Sequence, residues 1–344
     1  FIIPSLVNQG PIIKVHSLVI NLIDKVDLID IYYFDDNNIM KFPCNTYKIK
    51  YSTPIDFDQY DIVHSCCFRP DNYVIKWRNS IHVAKIVTTL HQDTFVSLGY
   101  EYYKPLAKLL SYYWLYNQNK FDGITTISSQ LKDKYKKVLS NKVTTIYNGC
   151  NLNFDSAKIK LEYEEDIKIL KSKNLKILGT YAYITKRKGV HQILDALPAL
   201  TDFALIIIGE GPEMDNLRKL AKKRNLAERV IFFPYLTNPR NYLELFDVYM
   251  MTSYSEGFGL SMVEAALEKR SIVCSDIPSF HELFDEGEVE FFSLDNKMSL
   301  VNAIKDAYKN REEKGKLAFK KASSKFTSSI MADNYLRYYQ SIVQ

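Results

Sequence analysis

Hydrophobic positions along the chain gather into short β-branched runs, several of them continuously apolar. The first half offers "FIIPSL", "VDLIDIYYF", "YKIKYS", "YDIVHSCC", "AKIVTTLH", "GITTIS" and "VTTIYNG". The second half offers "LKILGTY", "ALIIIGEG", "RVIFFPY", "VYMMTSY", "RSIVCSD" and "EVEFF". Continuous apolar runs of this length predict strands buried on both faces. Longer helical patterns separate them, and strand–helix alternation predicts parallel sheets with right-handed crossovers. Two such series predict an α/β chain of two doubly wound, Rossmann-like domains, 1–160 and 161–325. The boundary should follow "NGCNLNFD", with a charged linker at 150–170. The last segment, 326–344, carries Ile330, Met331, Tyr335, Tyr338, Tyr339 and Ile342 at roughly helical spacing. It is expected to be a helix packing back on the N-terminal domain.

Composition narrows the class. The chain has 344 residues, 47% of them hydrophobic and 25% charged, ordinary values for globular domains. No apolar stretch reaches the roughly 18 residues of a membrane span. The net charge of +5 is too mild for a dedicated nucleic-acid binder. One local run, "KDKYKKVLSNK" at 132–142, is strongly basic. It reads as a solvated helix face or as a patch that meets an anionic membrane. Cys44, Cys66, Cys67, Cys150 and Cys274 form no C-x-x-C and sit beside apolar residues. They read as reduced core thiols of a cytosolic chain. No His/Cys cluster has metal-ligand spacing, and Asp56–Asp58 precedes a strand, so it reads as a turn.

Parallel sheets bind ligands beyond the carboxyl ends of their strands, so the chemistry should lie there. After the first strand, Gly10 and Pro11 open a helix whose N-terminus favours an anion. His91 directly follows "AKIVTTL". Lys186, Arg187 and Lys188 cluster before a helix expected from about Gly189. Cations there oppose the helix dipole, and a bound diphosphate would resolve the conflict. Gly209 and Gly211 end a buried strand, either to make the turn or to leave room for a base or ribose. In "SYSEGFGLSMVEAALEKR" a helix is expected from Leu260 to Lys269. There Glu264 shares an apolar stripe with Leu260, Val263 and Leu267. A buried carboxylate needs donors, which ribose hydroxyls could supply. A glycosidase acid and nucleophile pair is disfavoured. Eight helical steps span about 12 Å, against roughly 5–9.5 Å between hydrolase carboxylates.

Together "SEGFGLSMVEAALE", "KRKG", "IGEGP", "TTLHQD" and "IYNGCN" resemble, in order, the landmarks of family-4 retaining glycosyltransferases. The first carries their E-x7-E signature, and the likeness spans nearly the whole chain. "NQGP" and "TTLHQD" look like capsule, O-antigen or exopolysaccharide enzymes of bacteria. The resemblance implies the GT-B fold, with the two domains facing a central cleft. It implies a nucleotide-sugar donor, uridine-linked, and a glycan or lipid-linked acceptor, with no cofactor and no metal. It also implies roles. Glu256 would hydrogen-bond the donor sugar, and Gly257, Phe258, Gly259 and Leu260 would offer amides to sugar and diphosphate. Glu264 would hold the ribose. Lys188 with Arg187 would neutralise the leaving group, His91 would contact the sugar, Gly10 would lie near the diphosphate and Tyr235 near the base. The catalytic set is then His91, Lys188 and Glu256, in a cytoplasmic chain with peripheral contact at the inner membrane. A non-catalytic nucleotide-sugar-binding partner subunit is the alternative. An NAD oxidoreductase is disfavoured by the missing G-x-G-x-x-G. The family's Gly-Arg reads Gly179-Thr180 here, so either Arg187 or Lys186 substitutes or the donor is held more weakly. "EKRSIVCS" lacks the usual Gly-x-Pro.

Overall fold

The computed structural model describes residues 1–7, 10–36, 40–139, 143–152 and 164–344. The chain divides into two compact units: Phe1–Asn151 with Phe326–Gln344, and Leu152–Lys325. Much of the expected linker, 153–163, lies outside the described residues, as do Asn8 and Gln9 and the end of the basic run, 140–142.

The first unit holds strands β1 (Ile2–Ser5), β2 (Asp30–Asp35), β3 (Asn45–Lys48), β4 (Ile62–Cys66), β5 (Lys85–Leu90), β6 (Gly123–Thr126) and β7 (Val143–Thr145). They pair in the order β3-β2-β1-β4-β5-β6-β7, parallel throughout. The second unit holds β8 (Lys176–Tyr181), β9 (Phe203–Ile208), β10 (Val230–Phe233), β11 (Val248–Met251), β12 (Ser271–Ser275) and β13 (Glu290–Phe292). Their order is β10-β9-β8-β11-β12-β13, again parallel. Most strands fall on a hydrophobic run; the edge strand β3 is polar and exposed at all four positions. The central ones, such as Phe203–Ile208, are buried at every position, because crossover helices cover both faces.

Each core comes from strand side chains meeting the inward stripe of neighbouring helices. In the first unit Ile3, Ile31 and Ile146 pack with Val15, Leu18 and Leu22 of the helix Gly10–Leu22. Met331, Ala332 and Tyr335 of the terminal helix Ser328–Val343 join that core. The backbone stitches the terminal segment in place, with the amide of Ser328 donating to the carbonyl of Cys150 at 2.9 Å. A second anchor is Asp71, wholly buried on the helix Phe68–Lys76. Its carboxylate accepts from Ser65 at 2.6 Å, Trp114 at 2.7 Å, Thr88 at 2.8 Å and Gln118 at 3.0 Å. Four donors satisfy a charge that would otherwise be costly to bury. They also tie β4 and β5 to the helix Lys104–Gln118.

The cysteines are all free, and Cys66, Cys150 and Cys274 are buried. Asp58 turns its carboxylate to the amides of Val83, His82 and Ala84 at 2.8–3.2 Å, so it closes a turn ahead of β5. Among the described residues, no group of three or more His, Cys, Asp or Glu could hold a metal ion. Among the same residues, no helix is long and apolar enough to cross a membrane.

Candidate functional site

Strand order determines where a site can form. In the second unit the chain runs outward from β8 to β10 on one side and from β11 to β13 on the other. The sheet therefore switches direction between β8 and β11, and the loops beyond their carboxyl ends part to leave a crevice. Those loops are Ala182–Gly189 and Thr252–Gly259, and they carry the charged residues.

After β8 the chain makes a tight turn, Lys186–Lys188, closed by Gly189 in the left-handed conformation at φ 60°. The helix begins at His191, two residues later than expected. Gly189 cannot join a right-handed helix at its left-handed φ, and the position requires glycine: a Cβ there would lie 2.2 Å from the carbonyl oxygen of Thr252. The loops are also laced together. The amide of Tyr254 donates to the carbonyl of Arg187 at 2.8 Å, and the Thr252 hydroxyl donates to the carbonyl of Lys188 at 3.1 Å.

This lacing brings three charges into contact. Lys188 Nζ donates to Glu256 Oε1 at 2.6 Å. Arg187 approaches Glu256 Oε2 at 3.1 Å and donates to the carbonyl of Ser255 at 2.5 Å. Ser253 Oγ donates to Glu256 Oε1 at 2.8 Å. The side chains of Glu256, Lys188 and Arg187 are 10%, 17% and 28% exposed. Burial pushes the Glu256 carboxyl up, but the charges of Lys188 and Arg187 and the two hydrogen bonds outweigh it, so its pKa lies below the usual carboxylate range. Glu256 is thus ionised at neutral pH. It can accept hydrogen bonds and cannot serve as a proton donor. The cluster holds two cations and one anion, which leaves a net positive charge.

Glu256 is followed by Gly257 and the buried Phe258, then Gly259 at φ 93° as the N-cap of the helix Leu260–Leu267. No side chain caps this end, and a helix N-terminus favours an anion. The helix stops two residues short of the expected Lys269. Lys269 itself takes φ 56°, the left-handed conformation glycine prefers, where the family pattern has Gly-x-Pro. Its ammonium lies 4.9 Å from the centre of the Phe319 ring.

Glu264 is half-buried on this helix and accepts a hydrogen bond from the Tyr181 hydroxyl at 2.5 Å. Tyr181 ends β8, so its bond aims the carboxylate across the switch point. The donor that the sequence argument demanded for Glu264 is met in part within the chain itself. Tyr181 and Ser253 were not singled out from sequence. Tyr181 sits at a strand end, but a partner 83 residues away leaves no local pattern; Ser253 lies three residues from Glu256, inside the stretch already quoted.

Gly209, at φ 137°, closes β9 against the preceding loop: a Cβ there would meet the carbonyl oxygen of Ala182 at 2.0 Å. The chain's own backbone therefore requires this glycine. Tyr235 lies exposed beyond β10, its amide 3.4 Å from Glu210 Oε1. Thr180, in place of the family arginine, is buried. Arg187 is the residue whose guanidinium reaches Glu256.

In the first unit the switch lies between β1 and β4. Gly10 opens the helix beyond β1, and a Cβ there would meet nothing within 4 Å. His91 stands one strand over, at the end of β5. Burial, and then the charge of Lys14, lower its pKa to about 4, so the imidazole is neutral at pH 7. Its Nε2 is buried and has no hydrogen-bond partner among the described residues. Lys14 is itself buried, with Nζ on the carbonyl of Gly149. It was missed from sequence because it looked like one more polar position on an amphipathic helix.

Comparison with known proteins places the chain in a family. Residues 162–325 match the family model described as glycosyl transferases group 1. Residues 47–154 match the one described as glycosyltransferase family 4. The chain is 31% identical to the O-antigen biosynthesis glycosyltransferase WclY of Escherichia coli, over 99% of this chain and 98% of that protein. It is 30% identical to a Campylobacter jejuni N-acetylgalactosaminyltransferase, named for a diphospho-undecaprenol-linked acceptor, over 52% of this chain and 50% of that one. In structure it resembles Anabaena HepE in complex with UDP and glucose, with a TM-score of 0.76, 18% identity and 99% of both chains covered. It also resembles a sucrose-phosphate synthase from Thermosynechococcus elongatus, with a TM-score of 0.79, 18% identity and 99% and 98% covered. These likenesses show the GT-B fold.

Proposed function

Because the chain belongs to the family 4 (group 1) glycosyltransferases, we propose that it moves a sugar from a uridine-diphosphate donor to a lipid-linked glycan with retention of anomeric configuration. The observation that carries this reading is the cluster of Lys188, Arg187 and Glu256 beside the uncapped end of the helix Leu260–Leu267. Net positive charge and a helix N-terminus at one switch point suit a diphosphate. In the transfer, the bond from C1 of the sugar to the diphosphate oxygen breaks. The acceptor oxygen bonds to C1 on the same face, and the acceptor proton leaves with the diphosphate. Lys188 and Arg187 stabilise the charge that develops on the leaving group. Glu256, ionised, accepts from hydroxyls of the donor sugar, and Glu264, steadied by Tyr181, accepts from the ribose. The amides of Gly257, Phe258, Gly259 and Leu260 turn to the sugar and diphosphate. Gly209 and Tyr235 flank the base, Gly10 lies near the diphosphate, and His91 Nε2 meets a donor hydroxyl. The first unit takes the acceptor and the second the donor. With cations and amides carrying the charge, no metal is required.

Relatives support the substrate class. WclY is named for O-antigen biosynthesis, the Campylobacter enzyme for a lipid-diphosphate acceptor, and HepE binds UDP and glucose. The setting is synthesis of a bacterial surface polysaccharide on the cytoplasmic side of the inner membrane.

The test is a panel of UDP-, GDP- and ADP-sugars with a lipid-diphosphate acceptor and EDTA present. Release of the nucleotide and the anomeric configuration of the product are read by NMR. A UDP-sugar is expected to turn over with retention, and Glu256→Ala to lose most of that activity while staying folded. Inverted product would refute retention, and dependence on added metal would refute the electrostatic role. Thermal stabilisation by donors without any turnover would make the chain a binding subunit instead.

A further inference from the structure

The helix Lys104–Gln118 is apolar on two opposite faces. Inward, Ala107, Trp114 and Leu115 are buried. Outward, Tyr103, Leu109 and Tyr116 are 80%, 66% and 63% exposed, and Leu106, Tyr112 and Tyr113 are exposed with them. A helix that only packed on its own domain would carry charged or polar residues there. A contiguous apolar face of this kind marks an interaction surface.

Its charge is one-sided. From Tyr102 to Lys120 the chain has Lys104, Lys108 and Lys120 and no acidic residue. A second basic element is fastened beside it. Phe95 meets Tyr112 edge-on, with ring centres 5.1 Å apart, and stacks on Tyr135 of the helix Ser129–Tyr135 at 6.4 Å. That helix and the turn after it expose Lys134, Lys136, Lys137 and Val138. Glu101 and Asp122 flank this run in sequence; beside the second element stand Asp93, paired with Lys134, and Asp133, 3.3 Å from Lys136.

We propose that this face docks the first unit on an anionic lipid bilayer. Leucines and tyrosine rings would enter the boundary between headgroups and acyl chains, where an apolar body with a polar tip is at home. The lysines would lie along the surface and meet lipid phosphates. A second copy of the chain fits less well, because a two-fold contact through this face would set Lys104 and Lys108 against their own counterparts. The proposal deepens the reading of a lipid-linked acceptor and rests on it for its purpose, though binding itself can be measured without turnover.

The experiment is co-sedimentation of the full chain with vesicles of phosphatidylethanolamine and phosphatidylglycerol, and with phosphatidylcholine alone. The wild type should bind the anionic vesicles and be released by salt. Leu106→Ser with Leu109→Ser and Tyr113→Ser should weaken binding at least about tenfold. Lys104→Glu with Lys108→Glu should do the same by charge. Both variants should keep the wild-type melting temperature and slow donor hydrolysis, because the altered side chains are exposed. Equal binding to both vesicle types, or undiminished binding by both variants, would overturn the proposal. So would a concentration-dependent dimer that the variants abolish while vesicle binding persists. If the wild type binds vesicles but turns over no nucleotide sugar, the functional reading fails and the surface stands.

Discussion

Replacing Lys188 with methionine separates the electrostatic role of the cluster from its structural one. Methionine keeps the length of the side chain and removes the ammonium. Lys188 is 17% exposed and its Nζ sits 2.6 Å from Glu256, so its charge acts in a medium well below the dielectric of water. Removing one preorganised donor to a developing anion costs about 2.7–4 kcal/mol, or roughly 10²–10³ in kcat. Lys188→Met should therefore lower kcat by that factor, with a smaller change in KM for the donor. Arg187→Met should cost less, about tenfold, because Arg187 is 28% exposed and also holds the carbonyl of Ser255. Folding should survive. Without Lys188, Glu256 keeps Arg187 at 3.1 Å and Ser253 at 2.8 Å, so it is not an orphaned buried charge. The stability loss should stay below the 3–5 kcal/mol of a broken buried pair, at about 2 kcal/mol or less. The assay is the initial rate of UDP release over a range of donor concentrations, paired with urea unfolding. A kcat within about threefold of wild type in a folded Lys188→Met protein would refute the leaving-group argument.

Two further predictions concern the neighbouring carboxylate and the first unit. Glu264→Ala should raise the donor KM by about 10–100-fold with kcat within about threefold, as expected for binding shared equally by ground and transition states; a fall in kcat at unchanged KM would contradict it. The His91 imidazole binds its proton at about pH 4 in the folded chain and near pH 6.5 once unfolded. Between those values the unfolded state holds more protons, so stability falls as pH drops from about 6.5 towards 4, by about 3 kcal/mol from this group. His64, also buried and lowered, adds to the same slope. Urea midpoints at pH 7 and pH 4.5 should thus converge in His91→Asn relative to wild type, and an unchanged difference would show that His91 is not held neutral.

Most strands among the described residues could be read from the chain because a strand buried on both faces must be apolar at nearly every position; the exposed edge strand β3 starts two residues before the run that suggested it. Their parallel pairing followed from the helices between them. Candidate chemistry could be read as well, since strand-end residues in a parallel sheet occupy the edge where ligands bind. Lys188 and Glu256 stood in the loops after such ends, and Glu264 on the helix that follows. Contacts were a different matter. The Tyr181 hydroxyl reaches Glu264 from 83 positions away, and Lys188 reaches Glu256 from 68. Such pairs exist only because β8 and β11 are neighbours at the switch point, a fact of strand order that no local pattern encodes. Asp71, the buried hub of four donors, is likewise held from up to 47 positions away.

The same division explains the helix Lys104–Gln118. In "KPLAKLLSYYWLYNQ" apolar residues occur on both sides, so periodicity cannot say which stripe faces the core. Packing decides it: Trp114 donates to Asp71 and turns inward, and Tyr103, Leu109 and Tyr116 are left to solvent. The sequence by itself determined which segments are strands and which residues stand at their ends, because burial on two faces and the direction of a parallel strand are local constraints. Only the tertiary structure decided which of those ends meet, which carboxylate stays ionised and which apolar face remains uncovered. Each of these depends on distances between residues far apart in the chain.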